Sequence, residues 1–379
     1  MPVKRTYLLS IVGLVLAVAC AFLLIPRSNL NPLPLPSQYS DSEFWRIVND
    51  FSEVGGFFRS DNFVSNETSF QHVIPELRRK TKPGGVYIGV GPDQNFTYIV
   101  ALKPKLAFIV DIRRQNLLLH LLYKSIIERS EDRAAFLSRL FCRAIPPNLA
   151  KDSTPQQLLA AFDKVEASKD LFEKNYDEVI SHLRADHQFP IEYADARTIE
   201  YVYRAFYTAG PDIRYSFPNQ YARRFPSYEE LMAETDMMGQ NHSYLANEQN
   251  FAVLRQLETE NRIIPLVGDF AGDRALRRVG EYLKDHGTAV TAFYTSNVEY
   301  YLFQSEDWRK FFGNVRSLPL DENSTFIRAY FSGMRLPQQT GGARPETLLD
   351  GMLDLVNAFS NGEIRNYEDV IQRSPVNIN

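Results

Sequence analysis

Only two cysteines, Cys20 and Cys142, occur in 379 residues, and Cys20 falls inside an N-terminal apolar run, so a disulfide framework is excluded. A paired-cysteine metal site goes with it, no H-E-x-x-H pair occurs, and no metal is expected. Charge of one sign is lacking too. The formal net charge is -4 and the pI about 6.0, which leaves no positive field to gather nucleic acid as a partner. The local cluster Arg78, Arg79, Lys80 and Lys82 reads as a solvated helix end. Neither a G-x-S-x-G elbow nor a G-x-x-x-x-G-K-[ST] loop is present, which removes the corresponding hydrolase and nucleotide sites. No internal repeat is visible.

What is present starts with "KRTYLLSIVGLVLAVACAFLLIPRS", where Lys4 and Arg5 precede an uncharged, mostly apolar run from Thr6 to Ile25. A run of about 20 residues can cross the hydrocarbon core as a helix, whereas a secretory signal usually has an apolar stretch of about 7 to 15. The expected reading is a single-pass membrane anchor with the folded part outside the cytoplasm, by the positive-inside rule. A signal peptide cleaved after the A-x-A pattern of Ala17 and Ala19 is the alternative, leaving a secreted or periplasmic chain. Pro32, Pro34 and Pro36 then favour an extended spacer, and the folded region is expected to begin near Ser40.

Downstream, the apolar spacing predicts a helix from Ser42 to Phe51, a second within "TSFQHVIPELRRKTKPGG", a strand over Val86 to Val90, a helix from Pro92 and a strand over Ala107 to Val110. That is a β-α-β unit, which predicts a parallel sheet. Helical patterns then dominate to about Asn250. Strand and helix alternate again from "RIIPLVGDF" through "TAVTAFYTS" to "STFIRAYFS", and "PETLLDGMLDLVNAF" reads as a terminal amphipathic helix. The expected organisation is a membrane anchor or signal at 1–26, a linker at 27–40, an α/β domain in two parts at 41–130 and 259–379, and a mainly helical insertion at 131–258. The fold class is α/β, with a Rossmann-like, mostly parallel sheet.

The stretch "GVGPDQNFTYIVALKPKLAFIVDIRRQN" carries the glycine turn. Gly89 and Gly91 fit a dinucleotide fingerprint, but Gln94 stands at its third glycine, and Asp93 at the helix start would repel a phosphate. S-adenosylmethionine (SAM) carries no phosphate and has a positive sulfonium. Asp111, at the next strand end, suits two ribose hydroxyls. In these residues the sequence resembles class I SAM-dependent methyltransferases, and "LVGDF" places Asp269 where such enzymes contact the adenine amino group. It departs from them at Tyr87, where an acid is usual, and at Asp93, where a third glycine is usual. More closely it resembles an uncharacterised bacterial family of methyltransferase-like proteins, from about Asp61 to Gln304, through "SNETSFQHVIPEL", "GVGPDQNFTYI", "DIRRQN", "NHSYLANEQNF", "GDFAGDRALR" and "FYTSNVEYYLF". The resemblance implies a SAM cofactor held by Gly89, Gly91, Asp93, Asp111 and Asp269, and a substrate side at Tyr294, Ser296 and Asn297.

Among other residues, His242 in "NHSYLANEQNF" is the first candidate for a general acid or base, because its ordinary pKa lies near neutrality. His182 and His187 are spaced i, i+5, which on an α-helix puts them on different faces, so they read as separate surface residues. Cys142 reads as a small buried hydrophobe. Between Ile199 and Leu231 lies a proline-broken, aromatic segment with Arg204, Arg214, Arg223 and Arg224, placed where a lid over the strand ends would sit. SAM is a cytoplasmic metabolite, so an exported domain would instead use the same cleft, without catalysis, for an envelope ligand or protein partner.

Overall fold

The computed structural model describes residues 32–216, 225–331 and 345–374. The apolar run from Thr6 to Ile25, with its anchor or signal reading, lies outside the described residues. Among the described residues no helix is long and apolar enough to cross a membrane. A compact unit begins at Leu35, ahead of Ser40. Leu35 and Tyr39 are already buried in it, and the Tyr39 hydroxyl meets that of Tyr282 at 2.9 Å.

Among the described residues six segments form strands, the first four largely apolar: β1 Val86–Gly89, β2 Leu106–Asp111, β3 Ile263–Val267, β4 Val290–Ser296, β5 Thr325–Phe331 and β6 Pro345–Gly351. They make one sheet in the order β3-β2-β1-β4-β5-β6. Neighbours are parallel except β5 and β6, which run antiparallel from Thr325 opposite Gly351 to Phe331 opposite Pro345. All residues of β1, β2 and β3 are buried, as parallel strands covered on both faces require. The expected α/β alternation and mostly parallel sheet are therefore present. The chain builds outward from β1 to β3, then restarts on the other side of β1 with β4. At that reversal the C-terminal strand ends leave a crevice.

Helices cover the sheet. Ser40 caps the helix Asp41–Phe51 in a capping box with Glu43, and its Phe44, Ile47, Val48 and Phe51 face the core. The second expected helix is confined to Ile74–Lys80. Between β2 and β3 the described residues form helices and loops, led by Arg114–Glu128, which is buried on nearly every side. That helix packs against β2 and β3 and also against helices Tyr193–Ala209 and Glu248–Thr259.

Two expectations fail. "PETLLDGMLDLVNAF" is not one helix: Pro345–Gly351 is β6, and the helix is Met352–Ser360. Pairing with β5 buries Leu348, Leu349 and Asp350, which overrides the local helical pattern, and proline is tolerated at the first position of an edge strand. The second failure is at His182 and His187. Helix Lys169–Ser181 continues into a π-turn, His182–Asp186, in which His187 N donates to His182 O at 3.0 Å. This wider turn brings i and i+5 onto one face, with ring centroids 4.6 Å apart.

Candidate functional site

The glycine turn after β1 is held from beneath. The Asn95 amide donates to the carbonyls of Val90, Gly91 and Pro92 at 2.9, 3.3 and 2.7 Å, and its oxygen accepts from the Tyr87 hydroxyl at 2.8 Å. His120 Nε2 lies 2.8 Å from the Gly91 carbonyl, which can only accept. Burial pushes the pKa of His120 down to about 4, so its ring is neutral with the proton on Nε2. The two glycines then have different reasons to be there. A Cβ on Gly89 would fall 1.9 Å from Asn95 Oδ1, so Gly89 makes room for the residue that pins the turn. Gly91 has φ +78°, a left-handed conformation, and nothing would meet its Cβ within 4 Å. Gly91 is therefore the one that opens onto the crevice.

The crevice is a cavity of about 1080 Å³. Its floor is formed by the ends of three strands: Gly91 after β1, Asp111 ending β2 and Asp269 after β3. Tyr294, Ser296 and Asn297, at the end of β4, form the opposite side. Of the expected ligand residues the structure thus brings together Gly91, Asp111, Asp269, Tyr294, Ser296 and Asn297. Aromatic side chains, among them Phe58, Phe270, Tyr301 and Phe331, wall the cavity. Tyr215 and Phe225 also line it, so part of the proline-broken segment does reach the strand ends. Its arginines do not contribute in the same way: Arg204 lies over the Phe172 ring and Arg214 pairs with Asp212 and Glu230, while Arg223 and Arg224 lie outside the described residues.

Three expected residues lie elsewhere. Gly89 is packed under the turn. The carboxylate of Asp93 turns away into the helical layer, where it accepts from the Tyr244 hydroxyl at 2.9 Å, itself 2.6 Å from that of Tyr228. Burial raises its pKa to about 7. His242 is also remote from the cavity, with Nε2 2.7 Å from Asp236 Oδ2 and its backbone N–H bonded to Gln71. Its partner is a loop acid, so its position suits structure rather than proton transfer at the strand ends.

Two residues that sequence reasoning left unassigned dominate the site. Arg113 grips Asp111 with both arms: Nε to Oδ1 at 3.0 Å and Nη2 to Oδ2 at 2.9 Å, with the Arg113 backbone N–H also on Oδ1 at 2.9 Å. Arg113 is fixed in turn by the carbonyls of Ser60 and Asp61. Asp111 therefore has little acceptor capacity left for two hydroxyls. Asp269 likewise spends one oxygen on the Ala271 N–H at 2.8 Å.

Glu67 is the second. It is 1% exposed, yet it lines the cavity. Its carboxylate accepts from Gln94 Nε2 at 2.8 Å, from the Tyr294 hydroxyl at 2.8 Å and from the Ser296 hydroxyl. These donors are neutral, and no cation pairs with Glu67 among the described residues. Burial raises its pKa, and the three hydrogen bonds offset part of that rise. Ser296, with φ +51°, is held in a conformation non-glycine residues seldom adopt, which aims its hydroxyl at Glu67. Among the described lining residues the acids Glu67, Asp111, Asp269 and Asp307 outnumber the single base, Arg113, which is paired with Asp111.

Fold and cavity together define an α/β protein with a cleft at the point where its strand order reverses. The chain belongs to the family described as a domain of unknown function, DUF7790, whose profile matches residues 62–197 and 149–346. Those matches take in Glu67, Gly91, Asp111, Asp269 and Ser296 and leave out Phe57 and Phe58. No functionally curated protein matches the chain.

Proposed function

We propose that this cleft binds a cationic, nucleoside-like small molecule of the SAM type, on a sheet of the class I methyltransferase kind, and that the protein is a methyltransferase-like enzyme tethered through its N-terminal apolar run. The observation that carries the reading is Glu67, a buried carboxylate on the cavity wall that has three neutral donors and no cation among the described residues. A sulfonium or ammonium in the cleft would supply the missing charge. The floor at Gly91, the acids at the ends of β2 and β3, and the flat aromatic walls suit the rest of such a ligand. In methyl transfer an acceptor attacks the methyl carbon, the carbon–sulfur bond breaks and the thioether leaves. The cleft's contribution would be to hold the two in line.

The test is isothermal titration of the full-length chain with SAM, beside thermal shift. Binding is expected, weakened at least tenfold in Glu67→Gln, a loss of about 1.4 kcal/mol. Because the ligand cation favours the ionised form of Glu67, affinity should rise with pH through the raised range of that carboxyl. No heat and no thermal shift at about 1 mM SAM would sink the reading.

The Arg113 clamp on Asp111 favours a second reading, in which the cleft holds a different cation, or a protein partner, without catalysis. It predicts silence toward SAM from a folded chain. It also predicts an active alkaline-phosphatase reporter fused after Asn379, since an exported domain has no SAM supply.

A further inference from the structure

We propose that Glu128, His182 and His187 form a binding site for one divalent transition cation of the zinc type. The site lies on the helical layer, apart from the strand-end cleft. Glu128 ends the buried helix Arg114–Glu128, and the two histidines flank the π-turn that follows Lys169–Ser181. His187 Nε2 lies 2.7 Å from Glu128 Oε2, and His182 Nε2 lies 3.6 Å from the same oxygen. The three ligand atoms fall within 4.8 Å of one another. Zinc bonds of about 2.0–2.1 Å in a tetrahedron set ligand atoms about 3.3 Å apart, and the two measured separations bracket that value.

The hydrogen bonds around the rings sharpen the inference. His187 Nδ1 sits 2.7 Å from Asp41 Oδ1, an acceptor only, so that nitrogen carries the proton. In a neutral ring Nε2 then presents a lone pair straight at a carboxylate oxygen, and a positive species must lie between them. A proton on His187 would satisfy that one contact. His182 Nε2 converges on the same oxygen at 3.6 Å, too long for a hydrogen bond whichever tautomer its Nδ1 contact with Ser125 Oγ selects. A metal serves all three. His182 Nδ1 is likewise held, 3.2 Å from Ser125 Oγ. A metal-ligating histidine almost always has its other nitrogen fixed by a carboxylate, carbonyl or water, a condition His187 meets through Asp41, while the Ser125 hydroxyl orients His182.

Lys124 is the evident competitor, with Nζ 2.6 Å from Glu128. It binds Oε1, however, leaving Oε2 to the histidines, and Asp41 adds a second carboxylate to the ring of charges. The histidine side chains remain 12–15% exposed, so a fourth position can be taken by water. Bound metal would tie the helix Asp41–Phe51, through Asp41, to the buried helix and the π-turn.

The experiment is zinc titration by calorimetry on the full-length chain, free of any oligohistidine tag, with cobalt absorption as a spectroscopic signature of the ligand set. One equivalent should bind, with tetrahedral-type cobalt bands. His182→Ala and His187→Ala should each weaken binding at least tenfold while circular dichroism in chelator stays unchanged, and Asp41→Asn, which touches no metal, should weaken it roughly tenfold. Absence of saturable binding of either metal by the unaltered chain at about 0.1 mM would overturn the proposal, and so would binding that survives both histidine changes.

Discussion

Burying a carboxylate without a cation is costly, and beside the glycine turn two acids, Glu67 and Asp93, are buried with no cation against them among the described residues. The Asp93 carboxylate faces away from the cleft, so its burial bears on stability. Its folded pKa, about 7, stands above the ordinary 3.8, so the fold prefers the protonated acid. The contribution is complete below about pH 3.8 and is lost as pH rises to about 7, by on the order of 1–4 kcal/mol. Asp93→Asn keeps an oxygen for Tyr244 and cannot ionise. Urea unfolding should show the natural chain losing that amount relative to the variant between about pH 4 and pH 8. A flat difference across the range would mean that Asp93 is not held as the acid. Asp111 and Asp269 could be found in the sequence because strand ends follow apolar runs and ligands gather there. Glu67 could not. It sits in a non-periodic loop, and the residues that define its environment, Gln94 and Tyr294, lie 27 and 227 positions away. Arg113 was visible only as a base two residues after an acid, with nothing local to say that it folds back onto it.

At the scale of elements, β4, β5 and β6 are joined by one side chain as much as by backbone. Arg328 in β5 is fully buried. It bonds Glu299, at the start of helix Val298–Gln304, with Nε at 2.5 Å, and reaches Asp350 of β6 and Ser374 at 3.2 Å each. Removing it leaves two buried acids without a cation. Arg328→Ala should therefore cost roughly 3–5 kcal/mol in urea unfolding, and Arg328→Lys should recover only part, because one ammonium cannot span partners in different directions. A cost under about 1 kcal/mol would show that the network is dispensable. The same network explains why the C-terminal segment misled. Leu348, Leu349, Met352 and Leu355 are spaced for a helix, and only the long-range pairing with β5, to which Arg328 and Asp350 add a buried ion pair, fixes the first part as a strand. The parallel strands were legible because each is a short, largely apolar segment, although β4 carries Thr291 and Thr295 and β5 carries Arg328. The π-turn was not, since nothing in "SHLRADHQF" separates it from an ordinary helix.

Over the whole molecule, the helical layer between β2 and β3 and the sheet draw on one hydrophobic core. Leu117, Leu121 and Tyr123 of the buried helix belong to the same cluster as Ile88 of β1, Phe326 of β5 and Met352 after β6. A layer that shares its core in this way cannot open without exposing the sheet, which implies a single cooperative transition. The chain's two tryptophans report on opposite parts of that core. Trp45, in the leading helix, stacks on Phe189 of the helical layer at 5.1 Å, and Trp308 stacks on Phe303 beyond β4 at 4.9 Å. Trp308→Phe leaves fluorescence from Trp45, and Trp45→Phe leaves it from Trp308. With metal chelated, each variant's emission midpoint in urea should coincide with its own circular-dichroism midpoint, and the two variants should agree after correction for their separate stabilities. If the Trp45 signal fell first by about 1 M urea, equivalent to roughly 1–3 kcal/mol, the helical layer would be unfolding on its own, and the shared core would not be coupling it to the sheet.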